Sequence, residues 1–490
     1  MNTLPQELIN RIAHYTNCNE GRLTPPPPSW APPAVPQQPS KLPLYATLSR
    51  PWKWAIESIT FQHLSITTNE LAKFHSIMRG NRRRFLKKLS YRIQLPKYST
   101  KLCGREESVE EQRLNDAFFT RSFAELFYVL KQWETGGVQQ ALQLELPRNS
   151  ITCPTDECLN HSKHITHFCE FRDGRHTCGQ RYKRSYLRLV RPFSLPMLLN
   201  VQSLSISDCN LRLPAPSLGP ELAAALPELR EFFWNFEDNR DKPASLLCYN
   251  RVALARDLTN VQLRPYSKAN IIVDHYAPFY QDEECDPIVP TGASYDPLSA
   301  SFRIFSRHLS SLTLQAHVDS TLFWPSPHEP NATVPTWPCL RTLSIKFNMV
   351  APSGAWYFKA PAPDPRDFTD REFDSMDYDP LYHKRHYVEP TMITPLLAAL
   401  AMAVRNMPVL EHFKLRSELG QTHFDVSYYG PGQEADRVGA YDEHVLSRRV
   451  DWDVGDEWMP DDYIREGLLS AGMAKFGGAA VETFLVREWY

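Results

Sequence analysis

The chain repeats one short pattern of hydrophobic and polar positions, apolar-x-x-apolar-x-apolar. The first copy contains Phe61, Leu64 and Ile66, and alternation of this kind is typical of a short strand with one buried face. Further copies begin at Leu86, Val201, Leu229, Leu258, Leu309, Leu340, Leu410 and Val481, and a shortened copy contains Leu142, Leu144 and Leu146. We therefore predict a strand at every copy, spread over the chain after residue 60.

Segments with helical spacing of apolar residues lie between these predicted strands. Prolines that precede the strands at Leu229, Leu340 and Leu410 stop such helices, because proline lacks the backbone N–H that a helix interior requires. Helices are predicted at residues 70–78, 122–133, 221–226 and 395–406. Because helices that alternate with strands imply parallel strands, the predicted fold class is α/β.

The spacing of the copies suggests a repeat protein. Copies that follow one another closely are separated by about the 20–29 residues of a leucine-rich repeat. The pattern resembles an irregular leucine-rich-repeat solenoid, although no copy carries the Asn that usually follows the strand in regular members of that family. The larger gaps are predicted to hold insertions near residues 148–185, 265–300 and 349–390.

The N-terminal region has a different pattern, with two short helical pieces on either side of a proline-rich spacer. In the first piece Leu4, Leu8 and Ile12 are spaced four apart, which places them on one helix face. The second piece spans residues 44–59. The spacer at residues 19–43 is too rich in proline for helix or sheet, so we predict an extended segment.

The two helical pieces resemble an F-box, the small helical module that docks on the Skp adaptor of cullin-RING ubiquitin ligases. The motif Leu-Pro-x-Glu-Leu stands at residues 4–8, and Leu-Ser-Arg-x-Trp stands at residues 48–52. The proline-rich spacer replaces the short acidic turn that usually joins the two halves of an F-box. The resemblance implies adaptor contacts from Leu4, Pro5, Glu7, Leu8, Ile9, Ile12, Leu48 and Trp52.

Together the two regions resemble the F-box and leucine-rich-repeat type of substrate receptor, particularly the divergent proteins of filamentous fungi. The predicted domains are an all-α F-box-like module at residues 1–60 and an irregular leucine-rich-repeat-like arc at residues 61–490. This resemblance implies a non-catalytic subunit that binds a Skp-type adaptor and cullin complex and holds an unknown target protein for ubiquitin-dependent degradation. One alternative is a leucine-rich-repeat scaffold unrelated to ubiquitination, whose N-terminal helices only cap the arc.

Composition and charge narrow the functional classes. The 490 residues are 42% hydrophobic, which excludes a wholly disordered chain, and their net charge of −2 gives no general attraction to nucleic acid. No phosphate loop, dinucleotide-binding motif, nucleophile elbow or zinc-protease helix occurs, so we predict neither an enzyme nor a cofactor. The longest apolar run, at residues 396–404, is too short for a membrane span, and the N-terminus lacks a signal-peptide pattern. We therefore predict a cytoplasmic or nuclear protein without a membrane partner.

Charged and metal-ligating clusters leave further alternatives open. Residues 153–178 either form a zinc site or belong to an exposed insertion loop. Their candidate zinc ligands are Cys153, Cys158, His176 and Cys178. A basic cluster at residues 79–92 is either a nuclear localisation signal or contact for an acidic partner, or simply the solvent face of a strand. Two acidic stretches, at residues 364–379 and 451–462, are predicted to be surface loops, either simply solvated or recognising a substrate through exposed Trp and Tyr side chains.

Overall fold

The protein has a mixed α/β architecture built on a large, mostly parallel sheet, which confirms the predicted fold class at this level. Thirteen strands of the described residues belong to this sheet, and two short strands form a separate antiparallel pair. The computed structural model describes residues 5–20, 42–99, 102, 105–135, 141–148, 150–152, 181–190, 195–207, 212–238, 242–275, 281, 284–330, 332–360, 385–420, 422–434, 444–455 and 458–485.

Three N-terminal helices form a small module where the sequence predicts helical pieces. They are α1 (Gln6–Glu20), α2 (Leu42–Tyr45) and α3 (Arg50–Thr60). Ser49 caps α3, because its hydroxyl accepts a hydrogen bond from the backbone N–H of Trp52. Pro51 occupies the first turn of α3, where its missing N–H needs no partner. The proline-rich spacer lies almost entirely outside the described residues.

The rest of the chain alternates strands with helices. The strands are β1 (His63–Thr67), β2 (Lys88–Gln94), β3 (Leu142–Leu146), β4 (Ile151–Thr152), β5 (Val201–Ile206), β6 (Glu231–Asp238), β7 (Ser267–His275), β8 (Leu309–Ala316), β9 (Thr342–Phe347), β10 (Phe358–Lys359), β11 (Tyr387–Val388), β12 (His412–Leu419), β13 (Thr422–Tyr429), β14 (Arg448–Asp453) and β15 (Ala480–Phe484). The helices are α4 (Leu71–Ile77), α5 (Arg82–Phe85), α6 (Val109–Thr135), α7 (Leu218–Ala223), α8 (Ala244–Leu258), α9 (Pro297–Ser306), α10 (Pro390–Val404), α11 (Asp462–Leu469) and α12 (Met473–Phe476). Each of the helices predicted after residue 60 overlaps one of these.

The order of the strands in the large sheet follows their order in the chain. Only β4, which pairs with β2, lies off the path from β1 to β15. Neighbouring strands are parallel from β1 to β12. The sequence pattern has no copy at β13, and this strand pairs antiparallel with both β12 and β14. Gly420 has a φ of 76°, a left-handed conformation that glycine adopts without strain, and it reverses the chain between β12 and β13.

Two rows of apolar side chains cross one face of the sheet, because the paired strands are in register. The first apolar row is Leu64, Leu89, Leu144, Leu204, Phe232, Ala269, Leu312, Leu343 and Phe413. The second apolar row, two residues further along each strand, includes Trp234, Ile271, Leu314, Ile345 and Leu415. Both rows pack into one core with helix residues such as Phe123, Phe302 and Leu397. The repeated sequence pattern therefore marks the face that the helices cover.

The structure corrects two features of the predicted pattern. The strand predicted from Leu258 is wrong, because Leu258 is the last residue of α8. Strand β7 follows it inside the range 265–300, which was predicted to be an insertion, and the pattern missed β7 because Ala269 replaces a large apolar residue. The prediction of a surface loop at residues 451–462 is wrong for its first residues, because Trp452 is buried in β14. The insertions at 148–185 and 349–390 lie mainly outside the described residues.

The alignment of the apolar rows gives a prediction about stability. Replacing Leu312→Ala removes a buried side chain between Ala269 and Leu343, so we expect the free energy of unfolding to fall by about 2–5 kcal/mol. Thr313→Ala is the matched control, because Thr313 is exposed on the opposite face of the same strand, and its effect stays within about 0.5 kcal/mol. Urea unfolding followed by circular dichroism measures both. Equal losses would contradict the assignment of the two faces.

Candidate partner-docking surface

The N-terminal module has a core of its own. Ile9 and Ala13 of α1 pack with Trp52, Ala55 and Ile56 of α3, and these buried residues form a cluster separate from the main core. A core of this size buries little apolar surface, and domains that small are marginally stable by themselves. The module therefore depends on contacts with its surroundings.

A short joint connects the module to the first unit of the sheet. The rings of Trp54 in α3 and Phe85 in α5 meet edge to face, with their centroids 4.8 Å apart. Arg82 pairs with Glu57, with a guanidinium nitrogen 2.7 Å from the carboxylate oxygen, and also lies 5.0 Å from the centre of the Phe61 ring. One apolar and one ionic contact thus attach α3 to α5.

The basic cluster supplies part of this structure. Arg83 donates a hydrogen bond of 2.8 Å to the carbonyl of Met78 and stacks its guanidinium over Trp133. Lys88 pairs with Glu145 on the next strand at 2.8 Å. Tyr91 is fully buried in the main core, as predicted for a strand residue. Several cations of the cluster therefore have partners within the chain.

The helices of the module also expose apolar side chains. On α1, Leu8 is 44% exposed and Ile12 is 43% exposed, and residues four apart share one helix face. Leu48, just before α3, is 52% exposed. Concentrated exposure of large apolar side chains is typical of a surface that another protein covers. We name the exposed apolar residues of the module the module surface; they are Leu8, Ile12, Leu44, Tyr45, Leu48 and Trp54.

The structure separates the eight predicted adaptor contacts into three groups. Leu4 lies outside the described residues. Pro5, Glu7, Leu8, Ile12 and Leu48 are on the outside of the module, and the carbonyl of Pro5 accepts the backbone N–H groups of Leu8 and Ile9 in the first turn of α1. Ile9 and Trp52 are buried at 1% and 8% exposure, so they hold the module together and do not present their side chains to a partner.

Sequence reasoning missed three members of the module surface. Leu44, Tyr45 and Trp54 are all exposed, and Trp54 also contacts Phe85. Their apolar character is visible in the sequence, but only the packing of α3 reveals that Trp52 faces inward while Trp54 faces outward. A helical turn of 3.6 residues places positions two apart on nearly opposite faces, which is the signal that was available.

The second candidate surface is the face of the sheet opposite the apolar rows, which we name the open face. Its central row of side chains is Ser65, Ser90, Glu145, Ser205, Phe233, Asn270, Thr313, Ser344 and Lys414. Phe233 and Ile272 are only partly buried there, on neighbouring strands. The side-chain oxygens of Asn235 and Asn270 accept no hydrogen bond from the described residues. Because these two oxygens are buried, the middle of the open face offers a partner mainly the apolar surface of Phe233 and Ile272.

Charged pairs occupy the C-terminal part of the open face. Lys346 pairs with Glu418 at 2.7 Å, and Lys414 lies 3.5 Å from Asp425. Because each of these groups already has an opposite charge beside it, this part of the sheet has little net field. The central open-face positions of β6–β8 are uncharged and are the better candidate for protein contact; they are Phe233, Asn235, Asn270, Ile272 and Thr313.

No cluster of His, Cys, Asp and Glu suitable for a metal ion occurs among the residues that the structure describes. The predicted zinc ligands at residues 153–178 lie outside those residues, so the zinc alternative stays a prediction. Within the same described part of the chain, no helix combines the length and the apolar character of a membrane span.

One acidic group on the helical side has an altered titration. Burial raises the pKa of Glu221 in α7 to about 7, with a smaller contribution from the charge of Asp257, although Ser217 donates a hydrogen bond that opposes the shift. The folded protein thus binds this proton more tightly than the unfolded chain does, whose carboxyl has an ordinary pKa near 4.5. Stability from this group is present at low pH and is lost as the pH rises through about 7.

The contrast between Leu8 and Ile9 can be tested by proteolysis. Ile9→Asp places a charge in the small core, so we expect cleavage within the N-terminal helices to become at least about tenfold faster. Leu8→Asp places the same charge on the module surface, and cleavage should stay at the wild-type rate. Limited proteolysis with mass spectrometry of the fragments gives both rates. Similar acceleration in both variants would contradict the assignment of inner and outer faces.

The pKa of Glu221 gives a prediction about pH. Replacing Glu221→Gln removes the ionisation, so the variant should gain stability relative to wild type by up to about 3 kcal/mol at pH 8 and gain much less at pH 5. Urea unfolding at several pH values measures this difference. A gain that does not depend on pH would show that burial of the charge is not its origin.

Comparison with known proteins does not extend this picture. The sequence matches no protein-family model, and no curated protein matches it. The roles of the module surface and the open face therefore have to be inferred from their side chains and from the resemblance of the motifs at residues 4–8 and 48–52.

Proposed function

We propose that the chain is a non-catalytic substrate-recognition subunit of a Skp-cullin-F-box type ubiquitin ligase, active in the cytoplasm or nucleus. In this proposal the module surface docks on the Skp-type adaptor, and the part of the chain that follows holds a target protein. The single observation that supports it most is that a three-helix module with its own small core exposes Leu8, Ile12 and Leu48 to solvent.

The physical argument for docking concerns the cost of that exposure. A soluble protein gains stability by burying large apolar side chains, at roughly 25 cal/mol per Å² of surface. The module leaves several of them outside while its own core remains minimal. A partner that covers the module surface would bury these side chains and stabilise the module together with the complex. An adaptor with an apolar groove is a partner of this kind.

We further propose that the sheet and its helices form an irregular leucine-rich-repeat-like solenoid that presents the open face to the target. Chain-order pairing of parallel strands, with aligned apolar rows under the helices, supports this proposal. The partly exposed Phe233 and Ile272, on neighbouring strands, supply apolar contacts of the kind that protein recognition uses.

A second candidate function has its own supporting observation. The joint between Trp54 and Phe85, with the Arg82 and Glu57 pair, is what a helical cap on the first strand requires. In that case the protein is a binding scaffold unrelated to ubiquitination, and the module surface has no adaptor. Adaptor binding distinguishes the two functions.

The adaptor proposal predicts a loss of binding without a loss of fold. In the double variant Leu8→Asp, Ile12→Asp, two charges replace exposed apolar contacts, so the affinity for a purified Skp-type adaptor should fall by at least about a hundredfold. The matched control is Leu446→Asp, because Leu446 is 83% exposed outside the module. Its affinity should equal that of the wild type. Surface plasmon resonance with immobilised adaptor measures all three proteins, and circular dichroism checks their fold.

Trp52→Ala is not a suitable test of docking, because Trp52 is part of the module core and its loss would unfold the helices. Undiminished adaptor binding by the folded double variant would contradict the docking site. Absence of adaptor binding by the wild-type chain would favour the scaffold function.

A further inference from the structure

A cleft on the helical side of the sheet is not used by either proposed surface. It has a volume of about 610 Å³ and lies where α8 begins, shortly after the end of β6. Its lining residues are Arg184, Arg188, Pro243, Ser245, Leu246 and Tyr249. In parallel α/β sheets the carboxyl ends of strands and the first turns of the helices that follow are the usual place for ligands.

Arg188 is the central cation of this cleft. Its side chain makes no hydrogen bond or ion pair with the described residues, and its Nε is buried without an acceptor. The guanidinium lies 5.0 Å from the centre of the Tyr249 ring, which fixes its plane, and its backbone N–H is held by the Asp116 carboxylate at 2.9 Å. Because the buried Nε is out of reach of the cleft, the terminal N–H groups of this positioned guanidinium are the donors available to an anion.

Two neighbouring arginines, Arg181 and Arg212, form close ion pairs with carboxylates, unlike Arg188. Arg212 pairs with Glu107 at 2.6 Å, and both side chains are fully buried. Arg181 pairs with Glu111 at 2.7 Å. Each of these two guanidinium groups forms an ion pair with a carboxylate. Among the described residues the Arg188 guanidinium forms no ion pair, and the charges of Asp116 and Glu221 act on it only at longer range.

The rest of the cleft adds donors of the same kind. Arg184 is largely exposed and has only a 3.5 Å contact with the exposed Glu106, a pair that contributes little in water. No side chain of the described residues caps the first turn of α8, so the positive end of this 15-residue helix faces the cleft with Ser245 in that turn. Tyr249 is exposed and adds a phenolic hydroxyl.

We propose that this cleft binds a phosphomonoester group, held by Arg184, Arg188 and the first turn of α8. Two guanidinium forks, hydroxyl donors and a helix N-terminus suit a tetrahedral dianion better than a planar carboxylate. The cleft is open to solvent, so the phosphoryl group can be carried by a larger molecule. Its carrier is either a phosphorylated side chain or a small phosphorylated metabolite. This inference does not depend on the proposed ligase function.

The test measures binding of defined probes to the full-length chain by isothermal titration calorimetry. The probes are a five-residue glycine peptide with a central phosphoserine, the same peptide with serine, adenosine monophosphate and adenosine. We expect one phosphorylated probe to bind and its unphosphorylated partner not to bind. Binding of the phosphopeptide alone identifies a protein carrier, and binding of the nucleotide alone identifies a metabolite.

Variants connect the binding to the cleft. Arg188→Gln should weaken the phosphorylated probe by at least about tenfold. Arg405→Gln is the matched control, because Arg405 is an exposed arginine at the end of α10, and its binding should not change. Ser245→Asp is a second test in case Arg188→Gln does not fold. An acidic residue in the first turn of a helix is favourable for stability, but its charge repels a bound anion, so this variant should also bind the phosphorylated probe more weakly.

The proposal is overturned if no phosphorylated probe binds, or if Ser245→Asp and Arg188→Gln bind like wild type. Either result would leave adaptor binding through the module surface unaffected, since the two measurements use different ligands and different residues.

Discussion

Register between neighbouring strands is the constraint on which the rest of this protein depends. Side chains alternate across a strand, so a slip of one residue would move an entire apolar row from the helical side to the open face. From β1 to β12 the pairing keeps Leu64, Leu204, Leu312 and Phe413 in one line, and the helices can cover that line only because it is continuous. The open face and the Arg188 cleft on the helical side both owe their positions to this alignment.

The sequence predicts a strand wherever large apolar residues occupy all the positions that face the helices. Leu309, Leu312 and Leu314 are such a case, and β8 is where the pattern puts it. Ala269 shows where this prediction fails. It is buried in the first apolar row, but a residue this small does not complete the repeated pattern of large apolar positions, so the strand is not recognised. Strand direction was equally inaccessible from periodicity, since a parallel and an antiparallel strand have the same alternation, and only the turn at Gly420 distinguishes them.

The candidate site was predictable in outline and not in detail. The spacing of Leu8 and Ile12 correctly indicates a helix in α1, yet it does not reveal that Ile9, one residue away, is the side chain that faces α3. Inner and outer positions of a short helix are decided by its partner helix, and here the partner is separated from α1 by a long proline-rich segment. The phosphate cleft carries no sequence signal, because Arg184 and Arg188 meet α8 only through the fold.

The hairpin at Gly420 also has a consequence for how this chain can change its length. Between β5 and β9 every strand has a parallel neighbour on each side, so duplication or loss of one helix and strand leaves equivalent joints behind. After β12 the direction reverses, and a duplicated unit would meet a neighbour that runs the wrong way. Duplication of a helix and strand is therefore compatible with the parallel part of the sheet and incompatible with the reversed strands after β12.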